Sequence, residues 1–100
     1  MQFIVHGYDG TDAEASNRRL AAREAHLKEA REWKDKKRWL FAAALLDEDG
    51  KMVGSVIVCD FPSEEALQAE WLQKEPYVTG NVWQKVEIRR AQIAPMFAAG

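Results

Sequence analysis

A side chain that can take up and return a proton near neutral pH is scarce in this chain. Histidine occurs twice, as His6 and His26. At 100° per residue, Leu20, Ala22, Leu27, Ala30 and Trp33 define a broad apolar arc of a helix, and His26 falls inside it, between Trp33 and Ala30. Arg23 lies in the same arc, between Ala30 and Leu27. Polar groups on the sheet-facing side of a helix need partners, because an unpaired buried one costs roughly 1–3 kcal/mol. One reading of His26 is structural, a ring bonded to a backbone carbonyl. The other places His26 and Arg23 on the border of a wet pocket between helix and sheet, where the imidazole can hold or move a proton.

An acid that orients such a ring must come from elsewhere. Glu75 stands directly before Pro76-Tyr77, and proline fixes the turn and with it the direction of the carboxylate. The alternative is a surface carboxylate at a helix end, where the helix dipole disfavours it. Asp9 closes the first strand in a Gly-flanked turn, as an Asx-turn or as a contact for a ligand. Ser55 follows Gly54 in mid-strand, and a strand-interior glycine marks close approach of a ligand or of another backbone. His6, His26 and the single Cys59 match no metal-ligand spacing, so no metal is expected. No phosphate-cradling glycine loop and no nucleophile elbow is present. Cys59 sits in an apolar strand and reads as core, and the four tryptophans read as core or interface anchors.

The elements that must position these groups follow from the pattern. Phe3, Ile4 and Val5 predict a strand over 2–6 that runs into the turn Tyr8-Asp9-Gly10-Thr11. Thr11 or Asp12 can cap the helix that follows, with Glu14 completing a capping box, and the helix runs without Gly or Pro to about Lys37. An apolar run from Leu40 to Leu46 ends at Asp47-Glu48-Asp49-Gly50, a hairpin-type turn, and a strand over 51–61 follows. Ser63 caps a second helix with Glu64 and Glu65 in its first turn, and Pro76 stands just past its end. Gly80-Asn81 turns the chain into a last strand over 82–89. The order is that of an α+β, ferredoxin-like βαββαβ sandwich, a four-stranded antiparallel sheet with both helices on one face. One domain fills residues 1–100, with a core over 2–90 and a tail over 91–100.

Helices on one side should leave strands that alternate apolar and polar. Here Val53, Ile57, Cys59 and Phe61 point one way and Val56 and Val58 the other, and the second strand is apolar throughout. The expectation is a homodimer through the open sheet face, with Ile93, Met96 and Phe97 of the tail reaching toward the partner.

The formal charge of −2 and the pI near 5.7 steer nothing toward nucleic acid. Lys34, Lys36, Lys37 and Arg38 are interrupted by Asp35 and suit a solvated helix C-terminus. The strand over 51–58 shares its place with the third strand of RNA-recognition domains but has Val and Ser where base-stacking aromatics belong. No stretch is long and apolar enough for a membrane span, and no leader precedes the first strand. One cysteine excludes an intramolecular disulfide. A cytoplasmic protein without nucleic-acid or membrane partners is expected.

With those residues in hand, the segments Tyr8-Asp9-Gly10-Thr11-Asp12, Arg23-Glu24-Ala25-His26-Leu27, Leu45-Leu46-Asp47-Glu48-Asp49-Gly50, Gly54-Ser55, Glu75-Pro76-Tyr77-Val78 and Val82-Trp83-Gln84-Lys85-Val86-Glu87-Ile88 together resemble the YCII-related proteins, from about Phe3 to Arg89. The resemblance implies a dimeric α/β barrel of ferredoxin-like subunits and a pocket in which a helix histidine pairs with the acid of an Asp-Pro-Tyr motif. His26 matches that histidine; Glu75 replaces the usual Asp and is one methylene longer. Ala43-Ala44 stands where many members have Gly-Pro. Relatives that act on small ring compounds, by dehydrochlorination or lactone isomerisation, suggest a lyase or isomerase. In that scheme His26 and Glu75 are catalytic, while Asp9, Arg23, Ser55 and Tyr77 contact a small-molecule ligand and no cofactor is needed. The alternative is a non-catalytic small-molecule-binding or dimerising accessory module.

Overall fold

The computed structural model describes residues 1–98, so the last two positions of the expected tail lie outside the described residues. The chain runs β1 (Gln2–Asp9), α1 (Ala15–Asp35), β2 (Trp39–Leu46), β3 (Met52–Asp60), α2 (Glu64–Glu70), a 3-10 turn (Leu72–Lys74), α3 (Pro76–Thr79), β4 (Trp83–Ala91) and a final 3-10 turn (Pro95–Phe97). The four strands form one sheet in the order β2-β3-β1-β4, with every neighbouring pair antiparallel. This is the expected ferredoxin-like α+β sandwich.

Local chemistry accounts for most boundaries. Ser63 caps α2 by accepting the Ala66 N–H at 3.0 Å. Asp47 Oδ1 accepts the N–H groups of Asp49 and Lys51, both at 2.9 Å, and Gly50 takes the positive φ (+81°) that closes the hairpin. The capping box at the start of α1 does not form. The helix begins at Ala15, and its N-cap Glu14 makes no side-chain cap bond. Asp12 Oδ2 accepts the Glu14 N–H at 3.2 Å in the turn before the helix, and Arg18 donates to both oxygens of the same carboxylate at 2.8 and 2.6 Å. That guanidinium holds the Asp12 carboxyl well below the usual carboxylate range. β1 also runs three residues further than expected, because Gly7 and Tyr8 still pair with Ser55 and Gly54 of β3, and Asp9 with Trp83 of β4.

α1 turns Arg19, Ala22, His26, Ala30 and Trp33 toward the sheet. Leu20 does not belong to that face and is 69% exposed, and Leu27 is exposed as well. The two leucines lie some 80–100° around the wheel from Arg19, and they pull the apparent centre of hydrophobicity toward themselves. Between helices and sheet lie Phe3, Val5, Ile57, Cys59, Phe61, Leu67, Trp71 and Val82.

Cys59 is fully buried among them, and burial pushes its thiol up to about 12. The native thiol should therefore resist iodoacetamide at pH 8, where roughly 10⁻⁴ of it is thiolate, and react once the chain is unfolded. Rapid alkylation of the native protein, followed by mass spectrometry, would contradict this. A pKa raised on folding also means that the contribution is intact below the ordinary thiol value near 9 and lost as the pH rises toward 12.

The opposite face of the sheet carries no helix. Its cross-strand rows, read from the register, are Phe41–Val58–Ile4–Arg89, Ala43–Val56–His6–Glu87 and Leu45–Gly54–Tyr8–Lys85. The β2–β3 half is apolar, and Phe41 is 62% exposed on it. The β1–β4 half is polar: Tyr8 donates to Glu87, His6 stacks on Tyr8 with ring centroids 3.8 Å apart, and the Lys85 ammonium lies 5.1 Å from the Tyr8 ring centre. The hydrogen bond to Glu87 raises the Tyr8 phenol and lowers the Glu87 carboxyl.

Candidate active site

Glu75 owes its position to the residue that follows it. A residue before proline is pushed to extended backbone, and Glu75 adopts φ −60°, ψ 126°. That conformation ends the Leu72–Lys74 turn and makes Glu75 the N-cap of α3, with Pro76 in the first helical position. The alternative reading, a surface carboxylate at a helix C-terminus, does not hold, because the chain starts a new helical turn here. Its side chain accepts the Tyr77 N–H at 3.2 Å through Oε1 and the Trp71 indole N–H at 2.6 Å through Oε2, and it is 0% exposed.

The third partner of Glu75 is His26. Its Nδ1 meets Glu75 Oε1 in a direct hydrogen bond across 49 residues of chain. A carboxylate that already accepts two N–H groups is an acceptor here too, so Nδ1 carries the proton and donates it. The imidazole is stacked on the Tyr77 ring, with centroids 3.8 Å apart and planes 5° from parallel. Its other nitrogen, Nε2, has no hydrogen-bond partner among the described residues and is not sealed from solvent. The arrangement fixes the tautomer and the plane of the ring and leaves one basic nitrogen free.

A second polar cluster lies beside the first. Arg19 Nη1 donates to both carboxylate oxygens of Asp9 at 2.9 Å, and Nη2 donates to Ser55 Oγ at 3.1 Å. Ser55 Oγ also accepts the Trp83 indole N–H at 3.2 Å. The Arg19 guanidinium carbon lies 4.9 Å from the centre of the Tyr77 ring, so the two clusters share that phenol. Burial raises the Tyr77 phenol, which stays neutral. Backbone crowding explains the glycines nearby. A Cβ on Gly7 would collide with the Trp83 indole, and one on Gly54 would stand 2.7 Å from the Gly7 carbonyl oxygen. Gly54 therefore marks close approach of a neighbouring strand.

A cavity of about 200 Å³ opens between α1 and the sheet, and Arg19, Arg23, His26, Ser55 and Tyr77 line it together with apolar Ala42, Ala44 and Ile57. Of the residues singled out in the sequence, His26, Arg23, Ser55 and Tyr77 meet at this cavity, and Glu75 stands behind His26. Asp9 does not line it and serves as the counterion of Arg19. Arg23 is exposed at the rim, without an ion pair among the described residues. The buried arginine is Arg19, which sequence reasoning missed although it precedes His26 by seven residues, two helical turns on the same face. The hydrogen-bonding roles of Trp71 and Trp83 were missed too; Trp71 stands one turn before Glu75, a spacing that offered a signal. No group of residues able to hold a metal ion occurs among the described residues, and no helix among them is long and apolar enough to cross a membrane.

Comparison with known proteins gives this geometry a family. The model of the YCII-related domain matches residues 1–92. The chain belongs to the YCII-related family. It is 30% identical over 95 residues to protein YciI of Escherichia coli and to protein YciI of Shigella flexneri, covering 89% of this chain and 94% of each relative. Among solved structures it resembles 5-chloro-2-hydroxyhydroquinone dehydrochlorinase (TftG) from Burkholderia phenoliruptrix, in complex with 2,5-dihydroxybenzoquinone. That match has a TM-score of 0.78 and 16% identity, covering 92% of this chain and 94% of the other, and it speaks for the fold.

Proposed function

We propose that this YCII-related protein is a cofactor-independent lyase or isomerase that acts on a small organic molecule, with His26 as the proton-transferring group. The observation that carries the reading is the Glu75–His26 pair. A buried carboxylate with three donors holds Nδ1–H, fixes the tautomer of the ring, and leaves Nε2 free at a cavity. Glu75 acts through His26 as a positioning residue, and Tyr77 fixes the plane of the imidazole by stacking. Arg23, unpaired at the rim, is placed to receive an anionic group of the substrate, and Ser55 lies deeper in the same cavity. The fold likeness to a dehydrochlorinase solved with a dihydroxyquinone supports a small hydroxylated ring compound as the substrate class.

The second half of the proposal is the assembly. The apolar rows of the open sheet face, together with Met96 and Phe97 at 82% and 77% exposure, support a homodimer packed sheet to sheet. A cytoplasmic location fits a chain with one buried free cysteine.

Chloride release from 5-chloro-2-hydroxyhydroquinone, and isomerisation of small lactones, are the assays to run on the wild type and on His26→Ala. A loss of roughly 10²–10⁴-fold in kcat is expected for a removed general base. Full turnover by the alanine variant ends the reading.

A further inference from the structure

Hydrogen-bond accounting at Ser55 leaves one proton over. A serine hydroxyl has two acceptor lone pairs and one donor hydrogen. Both acceptor sites are in use, by Arg19 Nη2 at 3.1 Å and by Trp83 Nε1 at 3.2 Å. No acceptor among the described residues takes the hydroxyl hydrogen, and the residue is buried on the wall of the cavity that His26 also lines. The arginine that donates to it is itself locked, because both its terminal nitrogens are committed, to Asp9 and to Ser55. Accepting two donors, one of them cationic, polarises an O–H and strengthens what it donates.

We propose that Ser55 is an oxyanion-binding residue, its hydroxyl aimed by Arg19 and Trp83 at a substrate carbonyl oxygen, and that the substrates are therefore small carbonyl compounds with an acidic C–H beside that oxygen. The inference rests on the reading of His26 as base and extends it to the other end of the reacting group. His26 Nε2 takes the proton from carbon. The C–H electron pair becomes a C=C bond, and the carbonyl π pair moves onto oxygen, where the Ser55 O–H donates to it beside the Arg19 charge. Return of the proton from Nε2 to a different carbon completes an isomerisation; expulsion of an anionic group from the adjacent carbon completes an elimination. Asp9 and Arg19 act through Ser55 as positioning residues. The cavity, at about 200 Å³, lies below the roughly 300–1,000 Å³ of drug-sized sites and suits a single substituted ring.

The probe is 2,5-dihydroxybenzoquinone, a planar ring whose enol oxygens ionise to the charge distribution the site should favour. Its affinity and the pH at which it ionises when bound are read from its visible absorption, with wild type, Ser55→Ala, Ser55→Thr and His26→Gln. The wild type should bind the anion and lower the pH of its ionisation. Ser55→Ala should weaken binding by roughly 10- to 100-fold and abolish that lowering, and Ser55→Thr, which keeps the hydroxyl, should restore both. A merely structural Ser55 would not shift the ionisation of the bound ring. Ser55→Ala binding and ionising the quinone as wild type does, while His26→Gln is impaired, overturns the oxyanion role and leaves the base intact. Ser55 dependence with an indifferent His26→Gln overturns the base and keeps the anion site. No binding by the wild type at millimolar quinone overturns the substrate class.

Discussion

Glu75→Ala is expected to cost at least about 3 kcal/mol of folding stability, because it leaves three donors unpaired at roughly 1–3 kcal/mol for each buried one. For a chain of this length that lowers Tm by more than roughly 12 °C. The reason is the number of donors that converge on one side chain. The Trp71 indole N–H, the Tyr77 backbone N–H and His26 Nδ1 all end on this carboxylate, which is shielded from water. Alanine leaves each of them facing a void, and α3 loses its N-cap. Glu75→Gln keeps the shape but turns an NH₂ group toward at least one of those donors, and roughly 1–3 kcal/mol is expected for that unmade bond. Glu75→Asp restores the residue usual in the family, as the resemblance implies, but draws the carboxylate back by one methylene; it should retain the cap and lose one of the two side-chain donors, at about 1 kcal/mol. Thermal and urea unfolding of the three variants give the order. An alanine variant that melts within a few degrees of the wild type would mean that the carboxylate is not held by the groups it touches.

The same residue shows what the sequence reveals and what it hides. Pro76 is enough to predict that Glu75 has a fixed direction, since pre-proline backbone is extended whatever surrounds it. That this direction leads to His26 depends on how α1 packs across the sheet, 49 residues away, and no local pattern encodes that. The strand and helix order was legible because hydrophobic period and turn chemistry agree, as at Ser63 and at Asp47–Gly50. The start of α1 was not, because the Asp12 carboxylate is shared between the Glu14 N–H and the guanidinium of Arg18, and the helix begins only at Ala15. Arg19 was hidden for a different reason. A buried arginine reads as an exposed one until its counterion is known, and Asp9 reaches it only because β1 continues three residues past its expected end at His6. Leu20 and Leu27, apolar yet exposed, tilted the inferred helix face toward Arg23.

Phe41→Glu is expected to convert the proposed dimer to a monomer without unfolding the subunit. Phe41 sits on the edge strand β2, pairs with Val58, and is largely exposed in the single chain, so the isolated fold makes little use of it. In a sheet-to-sheet dimer each copy would bury one such ring, worth about 1.5–3 kcal/mol each. Two copies give roughly 3–6 kcal/mol, a weakening of at least about 10²-fold in Kd, before counting the cost of confining a carboxylate against Val56, Val58 and Ile4. Sedimentation at micromolar concentration should show the wild type at twice the 11.4 kDa of one chain and the variant at that mass itself. The wild-type Tm should rise with protein concentration while that of the variant does not. An apolar half-sheet left open to water is the feature that demands a cover. A wild-type protein that sediments as a monomer would show that the apolar rows are tolerated, as exposed valines and alanines on a small domain can be, and the proposed proton-transfer site would then have to work within a single chain.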